Sequence, residues 1–318
     1  MAKTKAKAGT NGRAAAPPPA PPEEEDGSAR RRLYGRIAWV AIVVLAAAGA
    51  FWVAKKQAEG PNEAVAPPPV GLPETPDYHS LLVDANDPNR VLLGTHVGIY
   101  ESVDGGRKWT FAGLEGDDAM NLVRQPGGVL WVAGHGVLKR SENDGATWTS
   151  VEPDGLPGSD VHGFTIDPDD PGAFYAAVAG EGLYRSEDGG ESFEEVSSAV
   201  GPAVYGLAVT PGGRVLAADD RGVSVSEDGG ATWEVVLERV AVGIAVSPED
   251  EDTILVTTTT GILRSTDGGT TWDEAQVIPD GAWPVAFAPG EPERAYVVGF
   301  DRKLYRSDDA GATWRIVS

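Results

Sequence analysis

The stretch Ser226-Glu-Asp-Gly-Gly-Ala-Thr-Trp233 decides the fold, because its pattern Ser-x-Asp-x-Gly-x-Thr-Trp recurs six times with small variations. The six copies begin at Ser102, Ser141, Ser186, Ser226, Ser265 and Ser307. Successive copies are 39, 45, 40, 39 and 42 residues apart. A period of about 40 residues is typical of a β-propeller, in which each repeat forms one four-stranded blade. The spacing predicts an all-β fold with six blades and disfavours a seventh, because no unmarked stretch of that length is left.

The residue types of this box indicate a structural role. The Ser and Asp oxygens can accept hydrogen bonds from nearby backbone N–H groups, and the Gly supplies positive φ, so the box should form a self-bonded turn. We expect the closing aromatic ring to be buried beside the next sheet. A calcium loop of the EF-hand type would need more carboxylates at tighter spacing. The box residues are Ser102, Asp104, Gly106, Trp109; Ser141, Asn143, Gly145, Trp148; Ser186, Asp188, Gly190, Phe193; Ser226, Asp228, Gly230, Trp233; Ser265, Asp267, Gly269, Trp272; and Ser307, Asp309, Gly311, Trp314.

The box resembles the Asp-box, or BNR, repeat of sialidases, sortilin-type receptors and photosystem II assembly factors. That resemblance implies that the box lies at the blade periphery, between the third and fourth strands and far from the central channel. Residues 77–318 also look like exported bacterial propellers described as glycosylhydrolase-like. The runs that carry this likeness are Asp77-Tyr-His79, Gly94-Thr-His96-Val-Gly-Ile, Gly116-Asp-Asp-Ala-Met120 and Ala133-Gly-His135.

The sequence gives little support to a sialidase-type enzyme. The resemblance would imply three arginines, the first in an Arg-Ile-Pro motif, and no such motif occurs. Arg185, Arg264 and Arg306 directly precede box serines, on third strands away from the channel. Asp84 and Asp167 are carboxylates near the inner strands, but their Pro-rich surroundings indicate turns. We therefore assign no catalytic residue, and a glycosidase remains the alternative function.

The N-terminal part has a different composition from the repeats. Residues 1–32 are rich in Ala, Pro and charge and too poor in large apolar residues to fold, which predicts a disordered tail. Residues 37–54 are uncharged, just long enough to span a bilayer, so 33–56 are predicted to form a transmembrane signal-anchor helix. A Pro-rich linker should follow at 57–76, and the propeller should occupy 77–318.

The charges around this segment predict its orientation. Eight Lys or Arg residues precede the span and two follow it, so the N-terminus should be cytoplasmic and the propeller extracytoplasmic. A cleaved signal peptide is the alternative, because small residues at 46–48 could be cut. The apolar run continues past them to Phe51 and Trp52, which favours retention as a single-pass anchor in the cell membrane.

The net charge limits the possible partners. The whole chain carries −22, and because residues 1–56 hold ten Lys or Arg and four Asp or Glu, residues 57–318 carry −28. A surface this acidic repels nucleic acid, so we predict none as a partner and keep a protein or a glycan as the possible ligand. The chain has no cysteine, which excludes disulfides and leaves the repeat core to hold the domain together.

The four histidines form a pattern once the blades are aligned by their boxes. His79 and His162 occupy one register, just ahead of the inner strands of blades 1 and 3. His96 and His135 share a second register, six residues before the box serines of blades 1 and 2. Inner-strand ends converge on the channel mouth of a propeller, so these side chains should come close together. The predicted metal ligands are His79, His96, His135, His162, Asp118 and Met120.

Imidazoles with a thioether suit copper, and imidazoles with a carboxylate suit zinc or iron. The alternative is that the imidazoles only form hydrogen bonds to neighbouring strand ends, as buried polar rings usually do. The sequence thus favours a membrane-anchored, extracytoplasmic binding or scaffolding module with a histidine-rich metal or ligand site. The alternatives are a glycoside hydrolase and an assembly factor for a membrane protein complex.

Overall fold

A computed structural model describes residues 71–198 and 204–318. All 24 regular elements in these ranges are β-strands, and they form six four-stranded sheets. The predicted all-β propeller with six blades is therefore confirmed. The predicted tail, transmembrane helix and most of the linker lie outside the described residues. Within the described ranges, no helix is long and apolar enough to span a membrane.

The first three blades each consist of four strands that follow one another in the chain. Blade 1 contains β1 (Ser80–Val83), β2 (Val91–Thr95), β3 (Gly98–Ser102) and β4 (Thr110–Gly113). Blade 2 contains β5 (Asn121–Arg124), β6 (Leu130–Gly134), β7 (Val137–Ser141) and β8 (Thr149–Ser150). Blade 3 contains β9 (Val161–Ile166), β10 (Phe174–Val178), β11 (Gly182–Ser186) and β12 (Glu194–Ser197).

The last three blades repeat this antiparallel meander. Blade 4 contains β13 (Val204–Val209), β14 (Val215–Asp219), β15 (Val223–Ser226) and β16 (Glu234–Leu237). Blade 5 contains β17 (Ala241–Val246), β18 (Thr253–Thr258), β19 (Gly261–Thr266) and β20 (Asp273–Val277). Blade 6 contains β21 (Ala282–Ala288), β22 (Glu291–Gly299), β23 (Leu304–Ser307) and β24 (Arg315–Ile316).

The blades close into a ring through their first strands. Each of β1, β5, β9, β13, β17 and β21 contacts the first strands of both neighbouring blades, and β21 contacts β1. Across the same junction, the Tyr296 hydroxyl donates a hydrogen bond to Pro88 O over 3.0 Å. Every blade is built from consecutive strands, so the ring closes without a shared blade.

The chain just before β1 packs onto this ring. Gly71 N donates to Arg107 O over 2.9 Å, and the Tyr78 hydroxyl donates to Pro73 O over 2.8 Å. Leu72 packs against the apolar cluster between blades 6 and 1. Residues 71–76, which we assigned to the linker, thus contact the propeller because Leu72 and Tyr78 anchor them.

The hydrophobic core lies between the blades. Six clusters of buried apolar side chains each combine residues of two neighbouring blades. The box of each blade packs on the blade that precedes it; for example, Gly190 faces Trp131 of blade 2 and Gly230 faces Leu183 of blade 3. The closing aromatic rings also join the clusters shared with the preceding blade, so our expectation that they pack beside the next sheet was wrong. Trp109 and Phe193 are buried, and the other four rings are half-buried. Sheet twist carries the outer strands toward one neighbour, and the repeat pattern alone does not define which one.

The six boxes share one bonding pattern in the turn between the third and fourth strands. Each box serine is buried, and its Oγ accepts a hydrogen bond from the N–H of the glycine four residues later over 2.8–3.0 Å. The same Oγ donates to the Asp or Asn Oδ1 over 2.7–3.0 Å. The glycine has φ between 85° and 97°, a conformation that a Cβ would strain.

The aspartates of these turns make the stability of the fold depend on pH. Hydrogen bonds from Thr232 and Ser226 lower the pKa of Asp228 to about 2. Because the folded pKa is below the ordinary value, the carboxylate stabilises the fold above about pH 4, and this contribution is lost as the pH falls toward about 2. The pKa values of four other box aspartates are also lowered: Asp104, Asp188, Asp267 and Asp309.

We therefore expect Asp228→Asn to lose less stability than the wild type between about pH 5 and about pH 2. The natural Asn143 shows that an amide can serve here, since its Oδ1 accepts from Thr147 N and its Nδ2 donates to Thr147 Oγ1, both over 2.8 Å. Urea unfolding of both proteins at the two pH values measures the difference. Equal acid sensitivity of the two proteins would count against this origin of the pH dependence.

Candidate functional site

The first histidine register lies where the inner strands begin. In blades 3 to 6, the residues of this register, His162, Tyr205, Val242 and Trp283, are left unpaired where the register between first and second strands shifts. Such β-bulges re-aim side chains. The ring of Trp283 meets that of His79 at 5.1 Å and that of Tyr205 at 6.1 Å. Tyr205 and Trp283 belong to non-neighbouring blades, so this register faces the central channel.

The second register lies in the turns between second and third strands. His96 follows β2, and His135 follows β6. In an antiparallel meander these turns are at the same end of the blade as the start of the first strand. The boxes, between the third and fourth strands, lie at the opposite end.

The structure brings all four histidines into one row across blades 1 to 3. The ring centroids of His79 and His96 are 4.4 Å apart, and His79 Nε2 contacts His96 Nδ1. The row continues from His96 to His135 at 5.9 Å and from His135 to His162 at 5.0 Å. Residues that are 17 to 83 positions apart in the chain thus share one site.

Two carboxylates contact the first half of this row. Asp77 Oδ1 lies 3.1 Å from His79 Nε2 and 3.0 Å from His96 Nδ1. Asp118 Oδ1 lies 3.7 Å from the same two nitrogens, while Asp118 Oδ2 lies 2.5 Å from His135 Nδ1. We call Asp77, His79, His96 and Asp118 the buried cluster, because His79 and Asp118 are only 6% and 8% exposed.

A third carboxylate serves the second half of the row. Asp160 Oδ1 lies 3.2 Å from His162 Nε2 and 3.6 Å from His135 Nε2. We call His135, Asp160 and His162 the exposed cluster, because the side chains of His135 and Asp160 are 46% and 55% exposed. Both clusters have the imidazole and carboxylate donors that divalent transition metals such as zinc bind.

Two glycines allow Asp118 to reach its place between the histidines. A Cβ on Gly94 would lie 2.3 Å from Ala119 O, and a Cβ on Gly134 would lie 2.2 Å from Asp118 O. Ala119 N also donates to Thr95 O over 3.0 Å. The loop before β5 is therefore wedged between the second strands of blades 1 and 2, which directs Asp118 between His96 and His135.

Charge and burial shift several pKa values in the row. Burial acts to raise the pKa of Asp77, but contacts with His79 and His96 outweigh it and hold this pKa well below its usual range. Burial acts to lower the pKa of His96, but Asp77 and Asp118 raise it above its ordinary value. The buried cluster thus strongly favours an ionised Asp77 beside positive charge.

The pKa values of the two histidines in the exposed cluster are shifted in opposite directions. The hydrogen bond with Asp118 raises the pKa of His135. Burial lowers the pKa of His162, although Asp160 opposes the effect. His162 is therefore neutral over a wider pH range, and neutral imidazole is the form that ligates metals.

Sequence reasoning missed Asp77 and Asp160 as members of the site. Both lie two residues before a histidine of the first register, and Asp118 lies two residues before Met120 in the same register. An Asp-x-His or Asp-x-Met pattern thus occurs in three successive blades and is the signal that could have found them. Met120 is buried, and its role as a ligand stays a prediction.

Other acidic residues near the inner strands have structural partners. Asp117 Oδ2 lies 2.5 Å from Lys139 Nζ. Asp84 Oδ1 accepts from the N–H groups of Asn86 and Asp87, and Asp167 Oδ1 accepts in the same way from the N–H groups two and three residues later. Turn formation accounts for Asp84 and Asp167, as their sequence context indicated.

A cavity of about 270 Å³ adjoins the buried cluster between blades 6 and 1. It shares Asp77 with that cluster, and Trp283, whose ring meets His79, forms part of its wall. Its remaining lining includes Tyr78, Phe300 and Arg302. The channel mouth thus combines a polar half in blades 1 to 3 with an aromatic wall in blade 6.

The propeller and its channel-mouth residues match a known family. The family described as photosynthesis system II assembly factor YCF48 matches residues 77–236, half of the chain. The protein belongs to this family. The matched segment of this YCF48-family propeller contains all seven residues of the two clusters.

Individual relatives include enzymes as well as assembly factors. A xyloglucanase of Hypocrea jecorina is 28% identical over 219 residues, which are 62% of this chain and 24% of the enzyme. The GH74 xyloglucanase of Xanthomonas campestris superposes with a TM-score of 0.57 at 20% identity, over 80% of this chain and 46% of that one. YCF48 bound to D1 peptide superposes with a TM-score of 0.50 at 18% identity, over 81% of this chain and 86% of that one. The two structures share the propeller fold, and the chain spans about a quarter of the length of the curated xyloglucanase.

Proposed function

We propose that this protein is a membrane-anchored, extracytoplasmic propeller that holds a transition-metal ion in the buried cluster and acts as a binding or scaffolding module. The observation that carries the metal proposal is the convergence of four ligand atoms: Asp77 Oδ1, His79 Nε2, His96 Nδ1 and Asp118 Oδ1. The two nitrogens are in contact, and each lies 3.0–3.7 Å from both carboxylate oxygens. Ligand atoms around a tetrahedral zinc ion are about 3.3–3.6 Å apart. The carboxylate oxygens already lie close to this spacing from the nitrogens, and the two imidazole nitrogens would have to move apart to bind the same ion.

The burial of Asp118 gives independent support. Its Oδ1 atom is buried and has no hydrogen-bond partner among the described residues. A carboxylate oxygen removed from water without a partner is costly, and a bound cation would offset that cost. The ion would also join blade 1 to the loop that leads into blade 2, because Asp118 belongs to that loop.

The donor set limits the choice of metal. Two imidazoles and two carboxylates suit zinc, while copper would be favoured if the Met120 thioether joined them. The hard cation Mg²⁺ prefers oxygen ligands and should bind much more weakly to a site with two nitrogens.

The family supports a role with a protein partner. A structure of YCF48 bound to a D1 peptide is known. This supports a peptide or protein ligand for the present protein, and an assembly role at a membrane complex. The predicted anchor at 33–56 would hold the propeller beside such a complex. The charge of −28 on residues 57–318 favours basic or neutral partner surfaces. Pull-down from solubilised membranes, with wild type and with Asp118→Asn as bait, would test whether capture depends on the buried cluster.

Glycoside hydrolysis is the alternative, and the identity to the Hypocrea jecorina xyloglucanase is the observation that favours it. Against it, this chain covers only a quarter of that enzyme, and Asp84 and Asp167 are engaged as turn acceptors. Turnover of xyloglucan by the purified full chain would support the enzyme over the binding module.

The metal proposal is tested by ion retention. The full chain, purified in detergent, stripped with EDTA and then incubated with each ion, should retain Zn(II) or Cu(II) after desalting, and it should retain far less Mg(II). Elemental analysis by mass spectrometry gives the number of ions per chain. Failure to retain either transition metal would contradict the proposal.

A further inference from the structure

The exposed cluster is a second group of metal-type ligands beside the buried one. His135, Asp160 and His162 each offer a ligand atom, and these three atoms lie within 4.8 Å of one another. Asp160 Oδ1 is 3.6 Å from His135 Nε2 and 3.2 Å from His162 Nε2. His162 Nε2 is buried, and its contact with Asp160 does not have hydrogen-bond geometry. The two imidazole rings are perpendicular, at 89°. Three donors from two blades and a connecting loop thus surround one point.

Main-chain hydrogen bonds hold these donors in place. Gly136 N donates to Ser159 O, and Ala179 N donates to Asp160 O, both over 2.9 Å. His135 and Asp160 also form an isolated antiparallel bridge. The loop that carries Asp160 is therefore pinned to the turn that carries His135, so the site is preorganised.

Asp118 links the two clusters. Its Oδ1 faces the nitrogens of the buried cluster, and its Oδ2 lies 2.5 Å from His135 Nδ1. A carboxylate that accepts the Nδ1–H of an imidazole orients the ring and leaves Nε2 as the metal donor. His135 Nε2 is the nitrogen that faces Asp160. One side chain can therefore ligate one ion and orient a ligand of another.

We propose that His135, Asp160 and His162 bind a second divalent transition-metal ion and that Asp118 couples it to the ion in the buried cluster. This inference rests on the proposed function of the buried cluster. The second ion has three protein ligands, two of which are half exposed, so it keeps coordination positions open to water or to an added donor. Such a position suits an oxygen donor of a bound partner, for which a carboxylate is the expected class.

Ion counting in the full chain tests the second site. We expect wild type to retain two Zn(II) ions per chain and Asp160→Asn to retain one, with affinity for the second ion reduced at least about 10-fold. His162→Ala should behave in the same way, and Asp160→Asn covers the case in which His162→Ala fails to fold. Asp117→Asn is the matched control, because Asp117 pairs with Lys139 and should not affect either ion.

The outcomes separate the two proposals. If wild type retains one ion and Asp160→Asn retains the same ion with unchanged affinity, the second site is wrong while the buried site stands. If wild type retains none, the proposed function fails as well. Asp118→Asn should weaken both ions, and an effect on one ion alone would overturn the coupling.

The open coordination position has its own readout. In the Co(II)-loaded full chain, added acetate or azide should change the visible absorption spectrum, because an exogenous donor enters the coordination sphere of the second ion. The change should be absent in Asp160→Asn, which retains only the enclosed ion. A spectrum that does not respond in wild type would overturn the assignment of an open site.

Discussion

Replacement of His79 by alanine is expected to abolish most of the stabilisation that a Zn(II) ion in the buried cluster gives to the protein. His79 Nε2 contacts His96 Nδ1 and lies within 3.1–3.7 Å of both carboxylate oxygens of the buried cluster, so its loss removes the central ligand. We expect the affinity for the buried ion to fall at least about 100-fold. At a Zn(II) concentration of about 100 times the wild-type Kd, stabilisation by this ion should fall from about 2.7 to about 0.4 kcal/mol.

Thermal unfolding of the full chain with and without Zn(II) measures this difference. For a domain of this size, about 2.7 kcal/mol corresponds to a rise in Tm of about 5–10 °C. The comparison is made within each variant, because His79 is buried and its replacement also affects the metal-free protein. Asp117→Asn should keep the wild-type rise. An undiminished rise in His79→Ala would show that Zn(II) stabilises the protein elsewhere.

The repeat pattern predicted the architecture because it is local and repeated. The box carries its own hydrogen bonds, so each copy forms the same turn and spaces the blades evenly. The same alignment predicted that the four histidines lie together, since residues in one register of successive blades meet at one end of the ring. His79 and His96 are in contact in the structure, as that alignment indicated.

The carboxylates and the strand geometry were less accessible to sequence reasoning. Asp77 and Asp160 precede histidines by two residues, and only the pairing of strands places their oxygens against the rings. The bulges at His162 and Trp283 arise from register shifts between the first and second strands, and no sequence pattern predicts these shifts. The close approach that brings Asp118 into the row depends on the absence of a Cβ at Gly134, a property visible only in the packed fold.

The two ends of the blades have separate roles. The boxes at one end repeat in every blade, and they make hydrogen bonds within their own turn and pack on the preceding blade. The channel mouth at the other end differs between blades: ligand-type side chains occupy blades 1 to 3, while Tyr205 and Trp283 occupy the same register in blades 4 and 6. The boxes are the same in every blade, whereas the residues at the channel mouth differ between blades. We therefore locate binding at the channel mouth.

Replacement of Trp131 by alanine should destabilise the propeller by about 3–5 kcal/mol. Trp131 is 2% exposed and packs between Phe174, at 5.1 Å, and Phe164, at 6.1 Å. Gly190 of the blade 3 box approaches the same ring, and Trp131 Nε1 donates to Gln125 Oε1 over 3.3 Å. The substitution would therefore leave a cavity between blades 2 and 3, because the surrounding strands can fill the space only partly.

Urea unfolding of the full chain measures this loss, with Phe111→Ala as the control. Phe111 is 48% exposed, so its truncation should cost less than about 1 kcal/mol. Trp131→Phe should lie between the two, because it keeps an aromatic ring but loses volume and the hydrogen bond to Gln125. Because each blade depends on its neighbours, we expect Trp131→Ala to lower the unfolding midpoint of the whole ring. A loss of stability as small as that of Phe111→Ala would show that the junction between blades 2 and 3 can repack. That result would contradict the conclusion that the stabilising core lies between the blades.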